Sequence, residues 1–190
     1  SNAWRYRDYV IRSFNDDKSY NEFIVEQVAG DELANASVSD RLNGDKDAID
    51  KVHNTGDYTN LEVEWMIASG YLRMGPWDSV MVEKPEARQI YIDDIVNSVG
   101  QTFLSTTMRC FKCHDHKFDP LPTKDYYRIY AAFSGTQLAE RPAAFHPDEN
   151  LNGLEEGREM VERLHKYAAE RKDALTDKRE AAAKAWFAER

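Results

Sequence analysis

The stretch PEARQIYIDDIVNSVGQTFLSTTMRCFKCHDHKFDP, Pro85–Pro120, contains the signals that decide how this chain folds. Its first half places apolar residues at helical spacing behind a proline that suits a first turn, which predicts a long helix from Pro85 to about Ser105. That helix leads directly into the only cysteines of the chain, Cys110 and Cys113, and into the histidine that follows them, His114. The stretch therefore predicts a helical scaffold that presents a C-x-x-C-H motif.

The rest of the chain shows helical periodicity and almost no strand pattern. The predicted helices are Trp4–Asn15, a second one that the Ser19 and Glu22 capping box opens and Gly30 ends, Leu61–Arg73, a helix from Lys124 to Ser134 capped by Thr123, and a last one from about Leu154 to Arg190. The polar segment from Asp31 to Asn60 predicts a surface loop with a short helix near Lys46–His53, and Met74–Ser79 predicts a turn. We therefore expect a mostly α, irregular helical domain with long loops and a protruding charged C-terminal helix.

These patterns divide the chain into four parts. Residues 1–3 read as a cloning scar, and residues 4–136 as the helical domain that carries the motif, with its own beginning expected to be missing. Residues 137–153 read as a linker. Residues 154–190 form the charged helix, whose thin heptad-like seam is interrupted by Arg171 and Lys178. That seam is typical of a solvated helix or of a coiled-coil arm that needs a partner.

Composition excludes several classes of protein. The chain has 190 residues and a formal net charge of −9, and such an acidic surface repels the phosphate backbone of nucleic acids. No apolar run approaches the ~18 residues of a membrane span. Two cysteines are too few for a small disulfide scaffold. We therefore expect neither a nucleic-acid partner nor a membrane span in this chain.

The C-x-x-C-H spacing is the signature of c-type haem attachment. Two thiols at this spacing can add to the two vinyl groups on one porphyrin edge, and the next imidazole can ligate the iron. In this interpretation Cys110 and Cys113 anchor haem c and His114 is the axial ligand. Arg109 and Lys112 would pair with the haem propionates, or else, with Lys117, they would simply pair with the acidic residues that follow the motif.

A haem also needs apolar walls and a second axial ligand. Candidates for the sixth ligand are Met108, Met74 and His146. The aromatic residues that would form the walls, or else an ordinary helical core, are Phe103, Phe111, Phe118, Tyr126, Tyr127, Tyr130 and Phe133. The residues alone leave both roles of this aromatic set open.

Other chemistry at the motif competes with haem. Zinc could use the cysteines, His114 or His116, and a distant ligand such as His53 or His146. Asp115 and Asp119 could bind a hard divalent cation. The cysteines could form a disulfide or redox pair, or the segment could be a structural turn in which His114 and His116 satisfy buried polar groups. No catalytic motif stands out, and the acidic pairs at 16–17 and 93–94 read as surface residues, so whether this chain is an enzyme stays open.

Three blocks of the chain resemble a known family. The blocks are WRYRDYVIRSFNDDKSYNEFIVEQVAGDEL from Trp4, IASGYLRMGPW from Ile67, and DDIVNSVGQTFLSTTMRCFKCHDHKFDPLPTKDYYRIYAAFSGT, which ends at Thr136. They resemble, in order, the patterns of the planctomycete secreted cytochrome-like family, a domain of unknown function. The C-x-x-C-H-D-H-K-F-D-P pattern falls on residues 110–120. One departure is Ser105, where the pattern has glycine.

The resemblance implies a setting more than a reaction. Members are large exported proteins that often carry an N-terminal cytochrome c domain, this domain, a coiled-coil stretch and a further domain of unknown function. The resemblance thus implies a periplasmic or extracellular location, flanking domains of the same chain as partners, and an unknown redox partner. It is compatible with a haem-binding electron carrier, and with a non-haem metal-binding or structural module of a larger secreted enzyme, such as one acting on carbohydrate.

Overall fold

The computed structural model describes residues 3–75 and 83–188, and over these residues the chain is mostly α, as predicted. The α-helices are α1 (Ala3–Asn15), α2 (Tyr20–Arg41), α3 (Lys46–Thr55), α4 (Asn60–Ala68), α5 (Lys84–Phe103), α6 (Thr123–Phe133) and α7 (Leu154–Ala188). Two 3-10 helices, Ser69–Met74 and Met108–Lys112, flank α5. The described ranges contain no strand. The predicted turn at Met74–Ser79 lies largely outside these residues, as do two of the three residues of the predicted cloning scar.

The first two helices, joined by a short turn, form a helical hairpin. Ser19 caps α2, and its side chain accepts a hydrogen bond from the backbone N–H of Glu22 at 3.4 Å. The turn before it contains Asp17 with a φ of 51°. Across the hairpin the ring of Tyr9 stacks on that of Phe23, with 5.9 Å between the centroids. The apolar periodicity of both helices therefore reports a real contact.

The second helix was predicted to end near Gly30, and its regular geometry is interrupted there, but helical structure resumes and α2 continues to Arg41. A kink at Ala29 (φ −140°, ψ 25°) precedes Gly30. A Cβ atom at Gly30 would lie 2.1 Å from the carbonyl oxygen of Trp65, so glycine serves here to let α4 approach closely. The second half of α2 buries Ala34 and Val38. Because so few apolar residues are buried here, the segment from Asp31 showed no clear helical pattern and was predicted to be a loop.

The short helix predicted near Lys46–His53 is confirmed as α3, and the predicted helix Leu61–Arg73 divides into α4 and the first 3-10 helix. A complete capping box opens α4, formed by Thr59 and Glu62. Together α1 to α4 enclose the first hydrophobic core. Its buried members are Tyr9, Val38, Val52, Tyr58, Val63, Ile67 and Ala68.

The segment between α6 and α7 contains no helix, but its residues up to Glu149 belong to the first compact unit, Ser1–Glu149. The buried Glu149 carboxylate accepts a hydrogen bond from the guanidinium of Arg5 at 2.6 Å. Ala143 packs against the first core, and Phe145 lies 6.0 Å from Trp4, ring to ring. Most of the segment predicted to be a linker is thus held against the beginning of the chain.

Residues from Asn150 onward form a unit of their own. It consists mainly of α7, a helix of 35 residues without a buried side chain among those described. The described helices include none that is both long and apolar enough to cross a membrane.

Candidate functional site

The candidate site begins where α5 ends. The backbone N–H groups of Leu104 and Thr106 both donate to the carbonyl of Gly100, at 3.1 and 3.0 Å, and close the helix. Ser105 between them has a φ of 51°, in the left-handed region that favours glycine. The glycine that the family pattern has at this position is therefore explained by backbone geometry. The turn sends the chain back across α5 toward the cysteines.

Two inward side chains anchor the cysteine segment on the second hydrophobic core. Met108 and Phe111 are 2% and 1% exposed, in the 3-10 helix that carries the first cysteine. A Cβ atom at Gly100 would lie 2.3 Å from the Cγ of Met108, so this glycine makes room for the methionine. Met108, a candidate for the sixth ligand, packs inside this core, so it is not presented on the same surface as the exposed cysteines.

The remaining members of this second core come from α5 and α6. Phe111 lies edge-on to Tyr126, with 6.4 Å between the ring centroids, and edge-on to His116 at 6.0 Å. The buried set is Tyr91, Ile92, Ile95, Val96, Met108, Phe111 and Tyr126. The predicted aromatic cluster is therefore divided: Phe111 and Tyr126 belong to the core, whereas Phe118 is 83% exposed and Tyr127 is 53% exposed.

The three residues of the predicted haem motif point away from this core. Cys110, Cys113 and His114 are all exposed, and both cysteines are free thiols. The Sγ atom of Cys110 lies 3.6 Å from the hydroxyl oxygen of Thr107. Since a 3-10 turn carries Phe111 inward, it carries the flanking cysteines outward.

The imidazole of His114 is held by a single backbone contact. Its Nδ1 lies 2.7 Å from the carbonyl oxygen of Asp115. A carbonyl oxygen can only accept, so Nδ1 must carry the proton in this contact, and the neutral ring then keeps its lone pair on Nε2. Histidines that ligate metals are typically oriented by such a hydrogen bond from the other ring nitrogen. His114 is therefore in the tautomer that an Nε2 ligand requires.

The following residues, Asp115 to Pro120, form a structured turn. The carboxylate of Asp115 accepts from the backbone N–H of Thr123 at 2.8 Å and so caps α6, a role that the sequence had assigned to Thr123 itself. The backbone N–H of His116 donates to the carbonyl of Leu121 at 2.8 Å. The Nδ1 of His116 lies 3.0 Å from the backbone nitrogen of Asp119 and 3.1 Å from its carboxylate. Asp115 and His116 thus brace the chain locally.

The basic residues of the motif pair with α5. The Nζ atom of Lys112 lies 3.1 Å from the carboxylate of Asp93, and the Arg109 guanidinium lies 3.9 Å from the carboxylate of Asp94. The partners suggested by sequence, Asp115 and Asp119, are therefore replaced by the adjacent acidic pair of α5. Arg109 keeps a side chain that is 66% exposed.

Asp93 is the residue whose role at this site the sequence did not predict. Its carboxylate also accepts the hydroxyl hydrogen bond of Tyr126, so it joins α5, α6 and the motif. Burial, together with this hydrogen bond, raises the pKa of Tyr126 well above its usual value. The sequence did offer one signal, because Asp93 lies at helical spacing from Asn97 and Gly100, which are both buried on α5.

The candidate metal ligands do not converge on one point in the described residues. In the described ranges, no three side chains of histidine, cysteine, aspartate or glutamate come together in a way that could hold a metal ion. The distant candidates have other neighbours: the ring of His53 lies 6.3 Å from Tyr58, and the Nδ1 of His146 accepts from the backbone N–H of Asp148 at 3.3 Å. Burial, together with the nearby Arg141, lowers the pKa of His53.

One cavity borders the acidic pair that holds the motif. It has a volume of about 140 Å³, and its lining residues are Tyr71, Leu72, Met74, Gly75, Asp94, Ile95 and Ser98. Pockets for drug-sized ligands occupy roughly 300 to 1,000 Å³, so a porphyrin does not fit inside this one. Cys110 and Cys113 are exposed and do not line this cavity, so a haem attached to them would lie outside it.

Comparison with known proteins identifies a family but not a function. The model of the family PSCyt2, a protein of unknown function (DUF1549), matches residues 1–138. No curated protein and no solved structure matches the chain. The match includes the cysteine motif and the helices that hold it, and it confirms the resemblance on which the sequence analysis relied. The chain belongs to the PSCyt2 family of proteins of unknown function.

Proposed function

We propose that this domain is a c-type cytochrome-like module of an exported multi-domain protein, which binds haem covalently and transfers electrons. The observation that carries the proposal is the combination of two exposed free thiols with an exposed imidazole in the tautomer that leaves Nε2 available. Cys110 and Cys113 would form the thioethers, and His114 would ligate the iron. A location outside the cytoplasm and an unidentified redox partner are part of the same proposal.

The attachment chemistry is complete with the residues present. Each thiol would add its S–H across one vinyl double bond of the porphyrin, so that Cys110 and Cys113 would hold the haem through two thioether bonds. The addition consumes the double bond and needs no oxidant or reductant. Both thiols are solvent-exposed, so neither has to leave the core before it reacts.

When bound, the haem would supply a one-electron iron couple whose potential the surrounding protein sets. The contribution of this chain is to hold the ligand ring. The carbonyl of Asp115 fixes the proton on Nδ1 of His114, and the inward-facing Phe111 fixes the backbone between the two thiols. The exposed guanidinium of Arg109 is available to a propionate, since its contact with Asp94 is long at 3.9 Å.

The exposed aromatic ring of Phe118 supports a site on the surface. It is 83% exposed, so it presents an apolar face to solvent close to the motif in sequence. The amino group of Lys117 lies 5.2 Å from the centre of this ring. A flat apolar ligand next to the motif would give this ring a contact surface that it lacks in the free domain.

Production of the protein in a bacterial periplasm, together with a cytochrome c maturation system, tests the proposal. We expect haem that stays on the polypeptide after denaturation and a Soret band in the native protein. The double variant Cys110→Ser/Cys113→Ser should retain none. His114→Ala should shift or lose the Soret band, whereas His165→Ala, which changes another exposed histidine, on α7, should leave it unchanged.

The second candidate is a non-haem metal-binding or structural module of a larger secreted enzyme. It is favoured by the turn contacts of Asp115 and His116, which stabilise the motif without any ligand. A folded protein that carries no haem after passage through an active maturation system would support it. Stoichiometric zinc in that protein would favour the metal-binding form, and the absence of both would favour the structural form.

A further inference from the structure

The C-terminal helix α7 carries a regular seven-residue pattern. With Val161 at position a of a heptad, small or apolar residues occupy most a, d and g positions along the helix. Those residues are Met160, Val161, Leu164, Tyr167, Ala168, Ala174, Leu175, Ala181, Ala182, Ala185 and Ala188. We call the face made by positions a, d, e and g the stripe. The stripe runs from Met160 to Ala188 without a change of register.

Charges on α7 are segregated with respect to this stripe. Every acidic residue of the helix lies at b, c or f, on the opposite face: Glu155, Glu156, Glu159, Glu162, Glu170, Asp173, Asp177 and Glu180. The stripe carries no acidic residue over the same helix, but it carries Arg171 and Lys178 at d, and Lys172 and Arg179 at e. The acidic and basic residues of α7 are equal in number, yet every charged residue of the stripe is basic.

The apolar part of the stripe is exposed to solvent. Leu164, Tyr167 and Leu175 are 58%, 59% and 58% exposed, and α7 buries no described side chain. A long helix that buries no face gains little from tertiary packing, which usually supplies most of the stability of a helix in a protein. Such a helix is typical of one half of a helix–helix interface.

We propose that the stripe of α7 binds an acidic amphipathic helix of a protein partner, with apolar residues in its own seam and glutamate or aspartate beside them. The apolar positions would pack against the seam of the partner. Arg171 and Lys178 lie within the seam, where their aliphatic stems can pack while their charged ends reach the carboxylates at its edge. This interface is independent of haem binding, because it uses no residue of the cysteine motif.

The stripe could also be covered by a second copy of this chain or by a lipid bilayer, but its charges disfavour both. In a pair formed with a second copy of this chain, the basic residues at d and e would face each other, while the acidic residues of both helices would remain on the outside. A bilayer would bury the two cations in the middle of a stripe that is rich in alanine, whereas membrane-surface helices keep their cations on the polar face. An acidic helix neutralises the same cations.

The test uses the full 190-residue protein and a synthetic helix as a probe. The probe is a fluorescein-labelled heptad peptide with leucine at a and d and glutamate at e and g, and its control has lysine at e and g. We expect the acidic peptide to bind with an affinity that falls as salt is added. The variant Arg171→Glu/Lys178→Glu should bind it at least about tenfold more weakly.

The matched control variant is Lys166→Glu/Lys184→Glu, which makes the same change in net charge at positions f and c. It should bind the acidic peptide as the unchanged protein does, and circular dichroism should show equal helix content in both variants. Equal loss of binding in the two variants would overturn the proposal, as would equal binding of the lysine peptide. So would self-association in sedimentation, or binding to vesicles of phosphatidylcholine and phosphatidylserine, without binding of the acidic peptide.

Discussion

The first hydrophobic core and the cysteine segment, both in the unit Ser1–Glu149, treat their polar groups in opposite ways. In the first core, acidic residues are buried and paired: Glu62 is fully buried against Arg41 at 3.0 Å, and Glu26 lies 2.5 Å from Lys18. In the cysteine segment, the thiols of Cys110 and Cys113 face solvent, and neither is bonded to the other. In the first core the polar side chains stabilise the fold, whereas in the cysteine segment the thiols remain free to react.

The contrast indicates which side chains of this unit can react with a ligand. A paired and buried carboxylate cannot meet a ligand without breaking the contacts that stabilise the fold. The cysteine segment separates the two tasks within a few residues, because Phe111 and Asp115 fix the backbone while Cys110, Cys113 and His114 stay exposed. Substitutions of the fixing residues should therefore reduce stability, and substitutions of the free residues should affect only attachment.

The largest expected effect is that of Phe111→Ala. Phe111 is 1% exposed, and removing a buried phenylalanine side chain typically costs about 3 to 5 kcal/mol. Chemical denaturation followed by near-UV circular dichroism measures the change. The control Phe118→Ala removes an aromatic ring that is 83% exposed and should cost less than about 0.5 kcal/mol. Equal losses from both variants would contradict the inward anchoring of the segment.

In the first core, Glu62→Gln should cost about 2 kcal/mol at neutral pH, because it weakens a charged hydrogen bond to a guanidinium in a buried place. Burial alone would raise the pKa of Glu62, but hydrogen bonds from Arg41, from the backbone of Thr59 and from Ser37 outweigh it and lower the pKa below its usual 4.5.

The sign of this shift determines the pH dependence. A lowered carboxyl pKa contributes stability that is fully present above pH 4.5 and is lost as the pH falls through the folded-state pKa. The stability difference between the unchanged protein and Glu62→Gln should therefore narrow in acid. The exposed Glu32→Gln, on α2, serves as the control and should show no such narrowing. A gap that stays constant down to acid pH would mean that the Glu62 pair does not stabilise the fold.

A smaller effect is expected from Asp115→Ala, which removes the side-chain cap of α6. Loss of a helix cap typically costs about 1 kcal/mol. Asp119→Ala is the matched change, since its side chain is 60% exposed and caps no helix, and it should be close to neutral. Thermal unfolding should show a larger loss of stability in Asp115→Ala than in Asp119→Ala. The reverse order would contradict the capping contact between Asp115 and Thr123.

The smallest effect on stability is a gain, from Ser105→Gly. Ser105 has a φ of 51°, so glycine would relieve a left-handed conformation and raise the free energy of unfolding by about 0.5 to 1 kcal/mol. The comparison variant Ser105→Ala keeps the Cβ atom and should give no gain. A loss of stability in Ser105→Gly would show that the serine side chain has a role beyond occupying the turn.

Prediction from sequence succeeded for helices in which the apolar pattern and the signals for the helix ends indicated the same boundaries. Helix α5 was expected from Pro85 to about Ser105 and is found at Lys84–Phe103, because a proline at its start and a full apolar face mark it clearly. Helix α2 was truncated in the prediction, since Gly30 is typical of a helix end. Only tertiary packing, the approach of Trp65 to within 2.1 Å of a Cβ there, reveals its other purpose.

At the candidate site, the sequence supplied the residues but not their directions. The motif named Cys110, Cys113 and His114 as a set, and the structure keeps all three accessible. It could not show that Asp93 would join Tyr126, because these residues lie 33 positions apart and meet only when α5 packs on α6. It also could not separate Met108 from the surface ligands, since a buried and an exposed methionine look alike in sequence.

The intact mass of the protein, after periplasmic production with a cytochrome c maturation system, tests directly whether the cysteine motif attaches haem. We expect a mass increase of one haem that survives denaturation, and loss of that increase in Cys110→Ser/Cys113→Ser. The haem-free forms of both proteins should have unfolding free energies within about 0.5 kcal/mol of each other. A correctly folded protein that leaves an active maturation system at its unmodified mass would contradict covalent haem attachment at Cys110 and Cys113.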